Sequence, residues 1–99
     1  MKNRLKFVVL NPQDNVGVAL DNLLEGEILH IAQDSIVTLK NMIEFGHKFS
    51  LQSIKQGDFI IKYGEIIGRS SRNIESGEHV HIHNVEGNRG RGDQIEQNG

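Results

Sequence analysis

The sequence predicts one small, mainly β domain with short helical turns. Near its start, two apolar segments rich in β-branched residues, LKFVVL and NVGVAL, are separated by the turn-forming cluster NPQD. No window shows the sustained 3.6-residue periodicity of an amphipathic helix. The 99 residues are enough for a single hydrophobic core and too few for two.

After these two strands come four short units of similar shape, each with an apolar residue three positions before a glycine. One turn of helix or a β-turn would bury the apolar residue, and the glycine would end it at positive φ. After three of the four glycines an acidic residue opens a new apolar segment. The glycines are irregularly spaced, which argues against a solenoid and indicates recurrent turn chemistry. The units are LLEGE with Leu23, IEFGH with Ile43, IKQGD with Ile54 and IESGE with Ile74.

Helix is expected only in short pieces near residues 21–24 and 54–56. From residue 86 onward the chain has four glycines and one aliphatic residue, so we expect a flexible tail. The predicted organisation is therefore a domain at residues 1–85 and a glycine-rich tail at residues 86–99. The tail carries the basic pair Arg89 and Arg91, which could dock on another subunit or an anionic substrate.

Composition narrows the function classes. The net charge is −2 and the basic residues are scattered, so a nucleic-acid partner is not expected, and the single Arg-Gly segment of the tail is a weak RNA-binding signal. There is no cysteine, which excludes disulfides and thiolate chemistry. The continuous apolar run near the start covers only Phe7 to Leu10, too short for a signal peptide or a membrane span. We expect a cytoplasmic protein without a membrane partner.

The segment HVHIH, residues 79–83, is the main candidate for chemistry. On a strand its three histidines share one face, with Val80 and Ile82 buried behind them. Neighbouring histidines of such a face can bind one metal ion, whereas the outer two lie about 13 Å apart on a straight strand. We select His81 and His83 as the metal pair. The alternative is an exposed strand face that happens to be rich in histidine.

Four further residues extend this candidate site. His47 and Lys48 follow a glycine in FGHKFS, where the histidine could supply a third ligand and the lysine could bind a carboxylate or transfer protons. Lys62 lies in IIKYGEIIG, which predicts two buried strand pieces around a turn at Tyr63 and Gly64. Lys62 and Asn84 are the candidate substrate-binding residues. For each, a purely structural role is the alternative.

Several of these segments together resemble the altronate and galactarate dehydratase family. The resemblance covers residues 5–84 and is to the N-terminal SAF domain of that family, a β-clip fold similar to type III antifreeze proteins. The motifs that carry it, in order, are DNVGVAL from Asp14, GHKFSLQSI from Gly46, GDFIIKYGEIIG from Gly57 and IESGEHVHIHN from Ile74.

The resemblance implies metal-dependent removal of water from a sugar acid such as altronate or galactarate to give a 2-keto-3-deoxy acid. It implies iron(II) as the usual metal, with another divalent ion as the alternative. His81 and His83 match the family's His-x-His-Asn pair, and His47 and Lys48 match its Gly-His-Lys. The resemblance leaves open which of these side chains bind the metal and which transfer protons. Asn11 departs from the pattern, since relatives often have histidine there.

Fused members of the family are several hundred residues long, so the resemblance implies a free-standing small subunit that acts with a large dehydratase subunit and is inactive without it. A homo-oligomer is compatible with the same sequence. Two alternatives remain at this point. One is the small subunit of a sulfolactate sulfo-lyase, which eliminates sulfite instead of water. The other is a non-catalytic SAF module that binds a carbohydrate or docks to a partner.

Overall fold

A computed structural model describes residues 5–87, which form nine short strands and no helix. All strand pairs are antiparallel. The mainly β prediction is confirmed, including the two early strands. The strands are β1 Phe7–Val8, β2 Val16–Ala19, β3 Ile28–Ala32, β4 Ser35–Thr38, β5 Lys48–Ser50, β6 Phe59–Lys62, β7 Glu65–Ser70, β8 His79–Val80 and β9 Val85–Glu86.

The strands form three small sheets. The largest has the order β1-β2-β5-β8, the second is the β3-β4 hairpin, and the third has the order β6-β7-β9. In the first sheet Lys48 lies opposite Val80 and Phe49 lies opposite His79. This register brings the Gly-His-Lys segment and the histidine-rich segment together, although they are more than thirty residues apart in the chain.

The four predicted glycine turns are all present. Each glycine has a positive φ between 86° and 93°, and each apolar residue three positions earlier is at most 2% exposed. At Gly77 no other residue would fit, because a Cβ would lie 2.0 Å from the backbone oxygen of Thr38. The apolar residues of these turns form isolated β-bridges, Leu23 with Ile43 and Ile54 with Ile74. The short helical pieces expected near residues 21–24 and 54–56 are not present.

The bridges divide the turns into two pairs. Gly26 and Gly46 are twenty residues apart, as are Gly57 and Gly77, and each pair brackets one hairpin. Residues 21–49 and 52–80 are therefore two copies of one structural unit, a relationship that the uneven spacing of the four glycines conceals in the sequence. The copies meet at the β5-β8 pair.

The predicted turn at Tyr63 and Gly64 joins β6 to β7, and both residues have positive φ, 60° and 75°. Such a turn matches the right-handed twist of the strands but is unfavourable for a tyrosine. The carboxylate of Asp14 stabilises it by accepting hydrogen bonds of 2.8 Å from the backbone N–H groups of both residues. This contact explains the acidic residue that precedes β2.

The core consists of two clusters of buried apolar side chains, one largely in each copy. The first cluster includes Phe49 of β5 and the second includes Val80 of β8. These two strands pair with each other. The other buried members of the first cluster are Ala19, Leu23, Leu29, Val37, Leu39 and Ile43. Those of the second are Val16, Ile54, Ile60 and Ile74.

The expected tail begins at residue 86, which the structure places in β9, paired with Arg69 of β7. Residues 88–99, including Arg89 and Arg91, lie outside the described residues. Among residues 5–87 there is no helix of the length and apolar character that a membrane span requires.

Candidate metal centre

The histidine-rich segment is a short strand followed by a turn. β8 ends at Val80, and residues 81–84 form a turn that leads into β9. The prediction that Val80 is buried is confirmed, since it is fully inaccessible, but Ile82 is 82% exposed and its predicted burial is wrong. The alternation of buried and exposed residues therefore ends after Val80, because the chain leaves the sheet there.

Asn84 is the physical reason for this turn. Its side chain is fully buried, where its oxygen accepts a 2.9 Å bond from the His81 N–H and its amide donates a 2.8 Å bond to the His79 carbonyl. The Asn84 N–H also donates to the His81 carbonyl at 3.1 Å. A side chain that satisfies the backbone in this way competes with continued strand pairing. Asn84 thus positions the histidines through their backbone, and its amide faces the protein interior.

His47 lies directly before β5, at the position that an acidic residue takes in the other three turns. In those turns the carboxylate accepts a hydrogen bond from the backbone N–H three residues earlier, which closes the turn. The three carboxylates belong to Glu27, Asp58 and Glu78. A histidine thus stands in place of this stabilising carboxylate, and its ring contacts His79 of β8 and His81 after β8.

The turn and the register bring three imidazoles together. One ring nitrogen of each of His47, His79 and His81 lies within 4.8 Å of the other two, and all three side chains are partly buried. Nδ1 of His47 is 2.9 Å from Nε2 of His79. The ring of His47 also stacks on that of His81, with 4.4 Å between ring centroids.

This donor set fits a first-row divalent ion. Imidazole nitrogens bind such ions at about 2.0–2.1 Å, so two nitrogens on one ion lie at most about 4.2 Å apart. The observed spacing needs only small ring rotations to meet that limit. Imidazole suits zinc, copper, iron and nickel. Three protein ligands also leave coordination positions free for a substrate or water.

The electrostatics keep the nitrogens available for a metal. Partial burial lowers the pKa of His79, and the neighbouring His83, His47 and His81 lower it further. The pKa of His81 is also lowered, by desolvation and by the adjacent His47 and Lys48. Both imidazoles therefore stay neutral at lower pH than a free histidine, with a lone pair free to bind.

The histidines that the structure brings together differ from the pair selected from the sequence, His81 and His83. His81 is in the cluster, whereas His83 is not one of its three members, although its ring lies 5.2 Å from that of His79. His47, which the sequence suggested as a third ligand, is in the cluster. His79 was not selected as a ligand because residues 79–83 were treated as one straight strand. The strand ends at Val80, so the distances assumed between these histidines do not apply.

Lys48 lies close to the cluster, and Lys62 lies close to Lys48. Lys48 is the first residue of β5 and lines a groove together with His81. Partial burial lowers the pKa of Lys48, and the positive charge of Lys62 at the end of β6 adds to the effect. The pair provides a region of positive potential beside the imidazoles, which suits a carboxylate ligand.

Glu44 was not selected from the sequence. Its carboxylate lies 3.5 Å from Nε2 of His47, the nitrogen that faces away from His79. A carboxylate on the second nitrogen of a metal-binding histidine fixes the orientation and tautomer of the ring. Its position three residues before the histidine, within the turn, is the only signal of this role that the sequence offers.

Known proteins are similar to this chain in sequence. Residues 5–88 match the family model of the altronate/galactarate dehydratase SAF domain. The chain is 46% identical over 82 residues to altronate dehydratase from Bacillus subtilis (strain 168) and 39% identical over 84 residues to the enzyme from Escherichia coli (strain K12). It belongs to the altronate/galactarate dehydratase SAF domain family.

The shares of each chain differ between relatives. The alignments cover 83% and 85% of this chain but only 16% and 17% of the two altronate dehydratases, so the chain spans about one-sixth of their length. The chain is also 33% identical over 87 residues to (2R)-sulfolactate sulfo-lyase subunit alpha from Chromohalobacter salexigens, covering 82% of this chain and 93% of that subunit. SAF domains of this family thus occur both within long chains and as subunits of about this size.

Proposed function

We propose that this chain is the small subunit of a metal-dependent hydro-lyase that dehydrates a sugar acid such as altronate or galactarate, together with a separate large subunit. The observation that carries the proposal is the convergence of His47, His79 and His81 from two strands onto one point. The scaffold does not need this convergence, since the other three turns close with carboxylates. The names of the long relatives supply the substrate class.

In the proposed site the three imidazoles hold a divalent ion, for which the family resemblance favours iron(II). Such an ion supplies Lewis-acid stabilisation of an enolate and of a departing hydroxide when it is bound. Glu44 orients the ring of His47 from outside. The buried Asn84 holds the backbone at His79 and His81, so both rings are positioned before any ligand arrives.

Lys48 and Lys62 act on the substrate in this proposal. Dehydration of a sugar acid begins with loss of the proton on the carbon next to the carboxylate. Because the pKa of Lys48 is lowered, more of this amine is neutral near physiological pH than for an exposed lysine, so it is suited to accept that proton. Lys62 stays beside it as a positive charge for the substrate carboxylate. The large subunit provides the rest of the site.

A second candidate reaction is elimination of sulfite from sulfolactate. It is favoured by one observation, the 93% coverage of a sulfo-lyase alpha subunit, because that relative is free-standing and has nearly the length of this domain. The two reactions share proton removal beside a carboxylate and differ in the leaving group. The histidine cluster and the lysine pair suit both.

The test is reconstitution with the cognate large subunit under anaerobic conditions with iron(II). Altronate, galactarate and (2R)-sulfolactate are supplied separately, and 2-keto-3-deoxy acid and sulfite are measured. We expect keto-acid formation from a sugar acid by the mixture and by neither subunit alone. Sulfite release without keto-deoxy acid would establish the second reaction instead. No turnover with any of the three acids would contradict a lyase function and leave a non-catalytic docking module.

Variants of the histidines test which side chains take part. His47→Ala and His81→Ala should each abolish turnover of the reconstituted complex. His83→Ala distinguishes two ligand sets, since the geometry predicts that activity is retained and the sequence-based pair predicts that it is lost. Circular dichroism of each variant confirms that the fold is intact.

A further inference from the structure

An exposed isoleucine stands beside the metal centre. Ile82 is at the apex of the 81–84 turn and is 82% exposed, the highest value among the large hydrophobic residues that the structure describes. The hydrogen bonds of the buried Asn84 side chain fix the backbone of this turn. Ile82 is therefore an apolar group held in a defined position in water.

Ile82 forms one wall of a groove of about 300 Å³. Ile67 of β7 and Val85 of β9 provide the other apolar side chains, and Lys48 and His81 provide the polar ones. Ile67 is itself 39% exposed. The groove thus opens directly onto the histidine cluster, because His81 belongs to both.

The three apolar residues of the groove do not suit the proposed substrate, in contrast to Lys48 and His81. A sugar acid carries a hydroxyl on nearly every carbon, and each hydroxyl loses its hydrogen bonds to water on entering an apolar cleft. Ile67, Ile82 and Val85 have no side-chain donor or acceptor to replace them. An aliphatic or aromatic side chain of another protein suits these walls, since its burial is favourable.

We infer that this groove is the docking surface for the large subunit, which inserts an apolar side chain between Ile82 and Ile67. The inference rests on the proposed function and names the surface that the composite site requires. In the altronate dehydratase relatives, about five-sixths of the chain lies outside the matched region and is covalently joined to it. A protein seated in the groove touches His81, which is also a member of the histidine cluster.

Preorganisation makes Ile82 a strong candidate for an anchor residue. Binding at a fixed turn orders little new backbone, so less of the contact energy is lost to entropy. Anchor residues at the centre of an interface carry most of its affinity, and truncation of one typically weakens binding by tenfold or more. We therefore expect Ile82→Ser to weaken association with the large subunit by at least tenfold.

The experiment measures the dissociation constant of the full chain and its cognate large subunit by analytical ultracentrifugation. Ile36→Ser is the matched control, because Ile36 is 57% exposed on the β3-β4 hairpin and does not line the groove. Support requires at least tenfold weaker binding for Ile82→Ser and an unchanged constant for Ile36→Ser. Unchanged binding of Ile82→Ser, or equal weakening by both variants, would overturn the inference.

Other occupants of the groove give different results. If a second copy of this chain fills it, wild type self-associates, Ile82→Ser is monomeric, and affinity for the large subunit is unchanged. If residues 88–99 fill it, nuclear Overhauser contacts connect them to the Ile82 methyl groups in the free chain. Either result overturns the inference.

Failure of the inference can be told apart from failure of the proposed function. Iron(II) binding by the Ile82→Ser chain and turnover at saturating large subunit should match wild type, because the substitution leaves the three imidazoles in place. A complex that depends on Ile82 but never turns over a sugar acid contradicts the function and supports the surface. A complex that turns over a sugar acid and whose affinity does not depend on Ile82 supports the function and contradicts the docking surface.

Discussion

Residues 21–49 and residues 52–80 contain the same sequence of elements, a glycine turn, a hairpin, a second glycine turn and a short strand. They differ where the second turn meets its strand. The first copy has His47 and Lys48 there, and the second has Glu78 and His79. The matching residues of the two copies hold the fold, and the positions at which these turns differ carry two members of the histidine cluster, His47 and His79.

The turns before the two hairpins show the unmodified pattern. Glu27 and Asp58 close them with carboxylates, and an apolar residue follows each, Ile28 or Phe59. At the same two positions, the turn before β5 has His47 and Lys48, and the turn before β8 has Glu78 and His79. Because β5 and β8 are paired, these exceptions lie next to each other.

The largest expected effect comes from changing a residue of the shared scaffold. Val80→Asp places an unpaired charge in the second core cluster, where Val80 is fully buried, so the domain should be unfolded at 25 °C. Ile82→Asp, two residues later, should change the free energy of unfolding by no more than about 0.5 kcal/mol. Urea unfolding followed by circular dichroism measures both. A folded Val80→Asp protein would show that the strand face is misassigned.

Two buried asparagines sharpen the comparison between scaffold and site. Asn84 bridges the backbone of His79 and His81, and Asn15 bridges that of Phe59 and Ile61 in the same manner. Replacing either by alanine should lower stability by about 1–3 kcal/mol, because buried backbone groups lose partners.

Only Asn84→Ala should also weaken iron(II) binding, since only this bridge positions metal ligands. Isothermal titration of both variants under anaerobic conditions gives the comparison. Equal iron affinities for Asn84→Ala and Asn15→Ala would contradict a positioning role for Asn84.

Restoring the scaffold pattern at His47 tests whether the site conflicts with stability. In His47→Glu the new carboxylate can accept a bond from the Glu44 N–H, as in the other three turns. We expect unchanged or slightly higher stability, by up to about 1 kcal/mol, and loss of iron(II) binding. Thermal unfolding of the metal-free proteins measures the first effect. Destabilisation beyond 1 kcal/mol would mean that His47 has a structural role.

The smallest expected effect is on the pH dependence of stability. The unfolded His79 takes up a proton near its usual pKa of about 6.5, whereas burial lowers the pKa in the folded protein. Between these values the unfolded state binds more protons, so stability falls as the pH falls. The melting temperature of metal-free protein should therefore decrease from pH 7.5 to pH 5.5, and less so in His79→Gln. His30→Gln, at an exposed position on β3, is the control and should behave as wild type.

Much of the scaffold could be predicted from sequence, because its determinants are local. A positive φ needs glycine at Gly26 and Gly57, and the residue three positions earlier is buried whatever lies around it. The pairing of the turns could not be predicted, since the Leu23-Ile43 bridge depends on contacts across a whole hairpin.

The site was predictable in its residue types but not in its grouping. His47 and the 79–83 segment stand out by composition, and the missing acid after Gly46 marks His47. The exclusion of His83 from the cluster depends on the turn that Asn84 closes. Nothing in the sequence around Asn84 indicates that its side chain is buried.

The central claim is that the imidazoles of His47, His79 and His81 form one metal site. Its most direct test is anaerobic titration of iron(II) into the full chain and into His47→Ala, His81→Ala and His83→Ala, followed by isothermal calorimetry. The account predicts one ion per wild-type chain, binding lost in His47→Ala and His81→Ala, and binding retained in His83→Ala. No binding to the wild type, or binding that persists without His47, would contradict it.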